Sequence, residues 1–258
     1  MRLKDRRGSH VGMILSFVLF ITFTLFIYVT VSPNINTVES KRILMNEIGL
    51  KIMEYASSDF SMISILINES KNPSSNCIQL NESLFSSGIG LAEFAEEEKI
   101  SARVIIKNDK YQVQPVYYNQ ESNLSITINR TNNEGIFFKI YHSPEFEPSI
   151  IREIAPCSYL EFKEDYSIGS INTGNYIFEK KIYDLIRKYN SEYINLKNSL
   201  KISPGDEFGF EFRLNNGTKW TAMKEIPSSI NIYAEELPVQ YIDSEANILS
   251  GFIEVKVW

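Results

Sequence analysis

Histidine and cysteine, on which most metal and nucleophile chemistry depends, are nearly absent: two of each occur in 258 residues. His10 precedes a long apolar run, which leaves His142 as the one histidine beyond it. A Ser-His-Asp or Cys-His arrangement would have to use His142. That residue is followed by Ser143-Pro144 at what reads as a strand end, where a solvent-facing side chain is expected. A zinc site would need His142, Cys77, Cys157 and a carboxylate, without the close-spaced ligand pairs that seed such sites. No GxGxxG, phosphate-binding loop or HExxH occurs. Carboxylates are numerous, but no pair stands out as an acid and base. The expectation is a non-enzymatic protein with no catalytic residue, no metal site and no cofactor.

Basic charge is also short. The chain has 26 Lys and Arg against 32 Asp and Glu, and four of the basic residues (Arg2, Lys4, Arg6, Arg7) precede the apolar run. With Asp5 also set aside, 22 basic residues face 31 acidic ones. A surplus of that sign argues against nucleic acid as a partner.

What the chain does have is one uncharged stretch, VGMILSFVLFITFTLFIYVTV, over residues 11–31. As a helix it spans roughly 31 Å, the thickness of a bilayer's hydrocarbon core. It keeps no polar face, so an amphipathic surface helix is excluded. Ser16, Thr22 and Thr24 are compatible because their hydroxyls can bond to carbonyls one turn earlier. The four basic residues before the run outnumber Lys41 and Arg42 after it, which predicts a cytoplasmic N-terminus and an extracytoplasmic remainder. A cleaved secretory signal has a shorter apolar region, and here Pro33 follows the Thr30-Val31-Ser32 exit. The expected division is a basic flank at 1–10, a transmembrane helix at 11–32, a membrane-proximal helix at 33–57 and a domain at 58–258. Gly12 and Ser16, four apart, form a minimal small-xxx-small pattern for self-association or for other membrane or surface subunits.

Both cysteines fall in the predicted outer part, where an oxidising compartment favours a Cys77–Cys157 disulfide over two free thiols. Five Asn-x-Ser/Thr acceptors lie there too, at Asn68, Asn81, Asn123, Asn129 and Asn216, as glycan attachment requires.

The pattern within the domain predicts an α+β fold. Asn36 and Glu39 form a capping box, and Met45, Ile48, Ile52 and Tyr55 then recur at helical spacing. Residues 69–98 read as a loop-rich connection with a short helix near 91–99. Strands are expected at 102–107 and 111–118 around Asn108-Asp109, with Pro115 marking an edge. Further strands are read at Leu124, Ile126 and Ile128, and at 135–141 after Asn132-Asn133. Phe208, Phe210, Phe212 and Leu214 alternate with polar residues before an Asn216-Gly217 turn into 218–223. A last antiparallel pair covers 230–241, interrupted by Pro238, and 251–258, with Ile253, Val255 and Val257 buried. One long packed helix over 176–200 carries Phe178, Ile182, Leu185, Tyr189, Tyr193, Leu196 and Leu200 on one face.

The N-terminus resembles the class III signal of archaeal type IV pilins and archaellins. The matching residues are Lys4-Asp5-Arg6-Arg7-Gly8-Ser9 and the apolar run after them. The resemblance implies cleavage after Gly8, a mature subunit starting at Ser9, an apolar helix packed in a filament core and a β-rich headgroup. Met13 stands at the fifth mature position in place of the usual glutamate, and Pro33 is expected to interrupt the stem. The Ile-, Asn- and Lys-rich composition is similar to that of single-pass archaeal proteins. The expected role is a membrane-anchored, non-enzymatic cell-surface protein, a pilin-like or envelope structural component. Two alternatives remain: an anchored ligand-binding module with a deep apolar pocket beneath the 176–200 helix, and an anchored hydrolase with a carboxylate or His142 cleft.

Overall fold

An apolar run without proline favours an uninterrupted helix, and α1 (Gly8–Ala56) is a single helix of 49 residues that continues well beyond it. The computed structural model describes residues 8–68, 77–80, 103–110, 113–114, 116–119, 125–129, 136–147, 150–151, 157–228 and 230–258. The expected break at Pro33 is absent, as is a second helix start at Asn36: the backbone continues through both. A proline inside a helix forfeits one i→i−4 bond, and the turns on either side carry the backbone across it. Thr22 donates to the Val18 carbonyl at 3.0 Å and Thr24 to the Phe20 carbonyl at 2.8 Å, so their hydroxyls are satisfied locally. Residues His10–Thr30 are long and apolar enough to cross a membrane, and their side chains are exposed.

The second half of α1 is embedded in the fold. Met45, Ile48, Ile52 and Ala56 are buried at spacings of three and four. Tyr55, expected on that stripe, is instead 40% exposed, with the Lys188 ammonium 5.9 Å from its ring centroid. Ala56 takes the buried position. Gly49 permits the close approach of α1 to the sheet, since a Cβ there would lie 2.4 Å from Leu237 Cδ1. Lys41 pairs with Asp206 along the same seam.

From Ala56 the chain passes directly into β1 (Ser57–Ile67). The strands that follow are β2 (Cys77–Leu80), β3 (Val104–Asn108), β4 (Val113–Gln114), β5 (Val116–Asn119), β6 (Ser125–Asn129), β7 (Phe137–His142), β8 (Ile150–Ile151), β9 (Ser158–Leu160) and β10 (Tyr166–Phe178). After α2 (Glu179–Ser191) and α3 (Tyr193–Ser199) come β11 (Phe208–Arg213), β12 (Lys219–Ala222), β13 (Tyr233–Ile242) and β14 (Ile248–Val257). A nine-stranded sheet has the order β12-β11-β14-β13-β10-β1-β7-β3-β4, and a five-stranded sheet the order β8-β5-β6-β2-β9. The fold is α+β, and most strand pairs are antiparallel, with β10–β13, β2–β9 and β5–β8 parallel.

The C-terminal hairpins match the sequence pattern closely. Asn216-Gly217 turns β11 into β12, with Gly217 at φ +82°, a conformation that favours glycine. Pro238 sits inside β13 opposite Phe252. It is tolerated because β10 pairs with β13 at Tyr241 and Ile242 but not beside Pro238, where the missing N–H faces an open edge. The long helix expected over 176–200 is instead β10's last residues followed by two helices. The chain breaks at Glu192 (φ −136°, ψ 40°), and the apolar stripe continues across the break.

Three apolar clusters hold this together. The largest joins the second half of α1, α2 and α3 to β11, β13 and β14; there Ile182, Leu185, Tyr189, Leu196 and Leu200 fill the space above Phe208, Phe210 and Val255. A second lies between the β1–β7–β3 part of the large sheet and the five-stranded sheet, around Ile65, Ile78, Ile106 and Phe138. A third, around Phe60, Phe146 and Phe178, bridges them with edge-to-face ring contacts at 5.9 to 6.3 Å. Cys157 is disulfide-bonded. β2 pairs with β9 with Ile78 opposite Ser158, which sets backbone positions 77 and 157 side by side; Cys77 is the chain's other cysteine.

Candidate functional site

Four segments meet where β10 becomes α2 and leave a cavity of about 400 Å³ between them. The first is the loop after β7, carrying Glu145, Phe146 and Glu147. It is held in place because Phe146 N donates to the Ser143 carbonyl at 3.2 Å and Arg103 Nη1 donates to the Phe146 carbonyl at 2.8 Å. The second is the β10–α2 junction, with Phe178, Glu179, Lys180 and Tyr183. Trp220 comes from β12, and Ile242, Asp243 and Ser244 come from the end of β13.

The floor is apolar: Phe146, Phe178 and Ile242 belong to the third core cluster. One wall is aromatic, with Tyr183 and Trp220 meeting edge to face at a centroid distance of 6.2 Å. Tyr183 is 58% exposed. The rim is acidic. Among the described lining residues four carboxylates, Glu145, Glu147, Glu179 and Asp243, stand beside a single ammonium, Lys180, which lies 3.5 Å from Glu147 and donates to the Glu145 carbonyl at 3.4 Å.

These carboxylates have different duties. Asp243 organises its own turn, accepting from Asn247 N at 2.8 Å and from Asn247 Nδ2 at 2.7 Å. Asn247 in turn accepts from the buried Lys107 ammonium at 2.6 Å, which ties β3 to the β13–β14 turn. Burial pulls the Lys107 pKa below its ordinary value, against the opposing pull of Asp243 and Glu245. Glu179 pairs with no described residue, and its pKa is raised, first by burial and then by the charge on Asp243. Among the described residues no three His, Cys, Asp or Glu side chains stand close enough to hold a metal ion together.

The residues singled out in the sequence lie elsewhere. Gly8 and Ser9 begin α1. Asn68 is exposed just after β1, Asn216 is exposed in the β11–β12 turn, and Asn129 ends β6. Asn81, Asn123, Pro115 and the helix read near 91–99 lie outside the described residues. Cys157, being disulfide-bonded, offers no thiolate to a zinc ion. His142 is only partly exposed: it ends β7 between Ser61 of β1 and Val104 of β3. Burial lowers its pKa to about 4, with nearby Asp59 pulling the other way. Among the described residues the space beneath α2 and α3, where the ligand-binding alternative expects a deep apolar pocket, is packed by the first core cluster. The cavity lies instead at the N-terminal end of α2. Its charged and aromatic residues span positions 145 to 243 with no fixed spacing, so no sequence pattern could have grouped them. Comparison with protein-family models, curated proteins and solved structures gave no match, so this cavity is interpreted from its own geometry.

Proposed function

We propose that the chain is a membrane-anchored, non-enzymatic surface subunit of the pilin-like kind. In it the apolar first half of α1 occupies a bilayer, or a helical core shared with other subunits, and the α+β domain stands outside the cell. The observation that carries this reading is α1 itself: one continuous helix that exposes only apolar and hydroxyl side chains over residues 11–30 and whose second half is the spine of the domain core. A soluble domain has no use for an exposed apolar helix of that length, and a simple tether has no need to continue it into the core. The basic residues Arg2, Lys4, Arg6 and Arg7 support a cytoplasmic N-terminus, and the disulfide at Cys157 suits an oxidising exterior.

Intact-mass measurement of the protein purified from its native host tests the proposal. A mature chain beginning at Ser9 is the expected result. A chain still beginning at Met1, or one beginning near Pro33, would overturn pilin-like processing, and a start near Pro33 would overturn the anchor as well.

A further inference from the structure

From the cavity at the β10–α2 junction we infer a binding site for a side-chain-sized organic cation, a primary ammonium or a guanidinium group. Three features of the cavity select that chemistry. Its carboxylates are spread around about 400 Å³ and do not converge on a point, so they suit a ligand several atoms across better than a metal ion. Its wall is built from the Tyr183 and Trp220 rings, and the face of such a ring stabilises a cation through its quadrupole. Its rim offers acceptor oxygens, which add charge-assisted hydrogen bonds for a ligand bearing N–H donors and leave a quaternary ammonium only the Coulombic attraction.

The local charge is unbalanced in the same sense. Among the described residues that line the cavity Lys180 is the one cation, and it is turned toward Glu147 and the Glu145 carbonyl. The Glu179 carboxylate, half-buried at the first position of α2, has no described partner, and its pKa is raised by burial and by Asp243. A ligand cation seated between Glu179 and the Trp220 ring relieves that repulsion. The site is independent of the anchor: the exposed face of Tyr183 is available whether or not α1 is processed.

The test uses the full-length protein in nanodiscs, with tryptophan fluorescence as the signal. Trp258 is buried at the chain's end and serves as a constant background, leaving Trp220 as the reporter. n-Butylammonium, N-methylguanidinium and tetramethylammonium are titrated at fixed ionic strength, beside short peptides carrying a central lysine or arginine. Saturable binding of the first two, weakened at least tenfold by Glu179→Gln and silent in Trp220→Phe, is the expected result. Tighter binding of the peptides assigns the site to a partner protein's basic side chain, and tighter binding of the free cations assigns it to a small molecule. Both outcomes support the inference. Tetramethylammonium binding as well as butylammonium, or a response unchanged by Glu179→Gln, would overturn it. Circular dichroism of Glu179→Gln, a substitution that keeps shape and removes one charge, separates lost binding from lost folding.

Discussion

His142 illustrates how little of a residue's chemistry is visible along the chain. Its position before Ser143-Pro144 reads as an exposed strand end, yet β1 and β3 flank β7 on both sides there and the residue is partly buried. Its neighbours in space, Ser61, Val104 and Asp59, are tens of residues away in sequence, so no local pattern could announce them. The burial has a sign that can be checked. A histidine near 6.5 when unfolded and near 4 when folded binds more protons in the unfolded state between those values. Its contribution to stability is therefore complete above about pH 6.5 and is lost as the pH falls through 4. Because the ring keeps some contact with solvent, the loss is on the order of 2 kcal/mol and not the full linkage value. Urea midpoints measured from pH 7 to 4.5 should fall for the native chain, and His142→Gln should remove most of that slope. An equal slope in the variant would mean that carboxylates dominate the acid limb. The cavity carboxylates make the same point: 32 acidic residues are visible in the sequence, and only folding distinguishes Glu145, Glu147, Glu179 and Asp243 from the rest.

Among the elements, legibility follows periodicity. The β11–β12 hairpin and β14 could be read directly, because one face of each is buried and the other wet. The apolar stripe of α2 and α3 was equally plain, but it hid the break at Glu192, since the buried positions keep their spacing across it. β1 and β10 gave no clear signal. β1 follows α1 without a turn residue, so its start has no punctuation. β10 is paired along much of its length with β1, yet Asn172, Thr173 and Asn175 are exposed, and a strand wet over its middle does not alternate. Pro33 misled in the other direction, because a proline penalty of roughly 3 kcal/mol is small beside the continuous hydrogen bonding of a helix 49 residues long. The seating of α1 on β13 depends on Gly49. Gly49→Ala pushes against the flexible end of Leu237 and gains helix propensity, so its change in stability should stay within about 1 kcal/mol. Gly49→Leu overfills the seam and should cost about 2 kcal/mol or more in chemical denaturation. Similar costs for the two variants would show that α1 does not rest on the sheet at this point.

At the scale of the whole molecule, the fold has two principal cores. One is built on α1, α2 and α3, and the other lies between the sheets; the Phe60 cluster joins them. The disulfide at Cys157 serves the second core alone. A link from Cys77 closes a loop of about 80 residues and is worth about 4 kcal/mol in the chain-entropy model. Reduction should therefore raise amide exchange in β2, β6 and β9 while β11, β13 and β14 keep their protection, as hydrogen-exchange mass spectrometry would resolve. Uniform loss of protection would mean that the cores unfold as one. The unbroken passage from the apolar segment into the domain has a mechanical consequence as well. From Thr30 to Ala56 the helix rises about 39 Å, and the chain then enters a strand hydrogen-bonded on both sides. Tension or torque applied to the domain thus reaches the apolar segment along a rigid lever with no loop in the path to absorb it. The α2 cavity sits near the end of that lever farthest from the apolar segment, where Lys181 donates to the Ser57 carbonyl at 2.6 Å. A load taken up there would be transmitted through the full length of the stem.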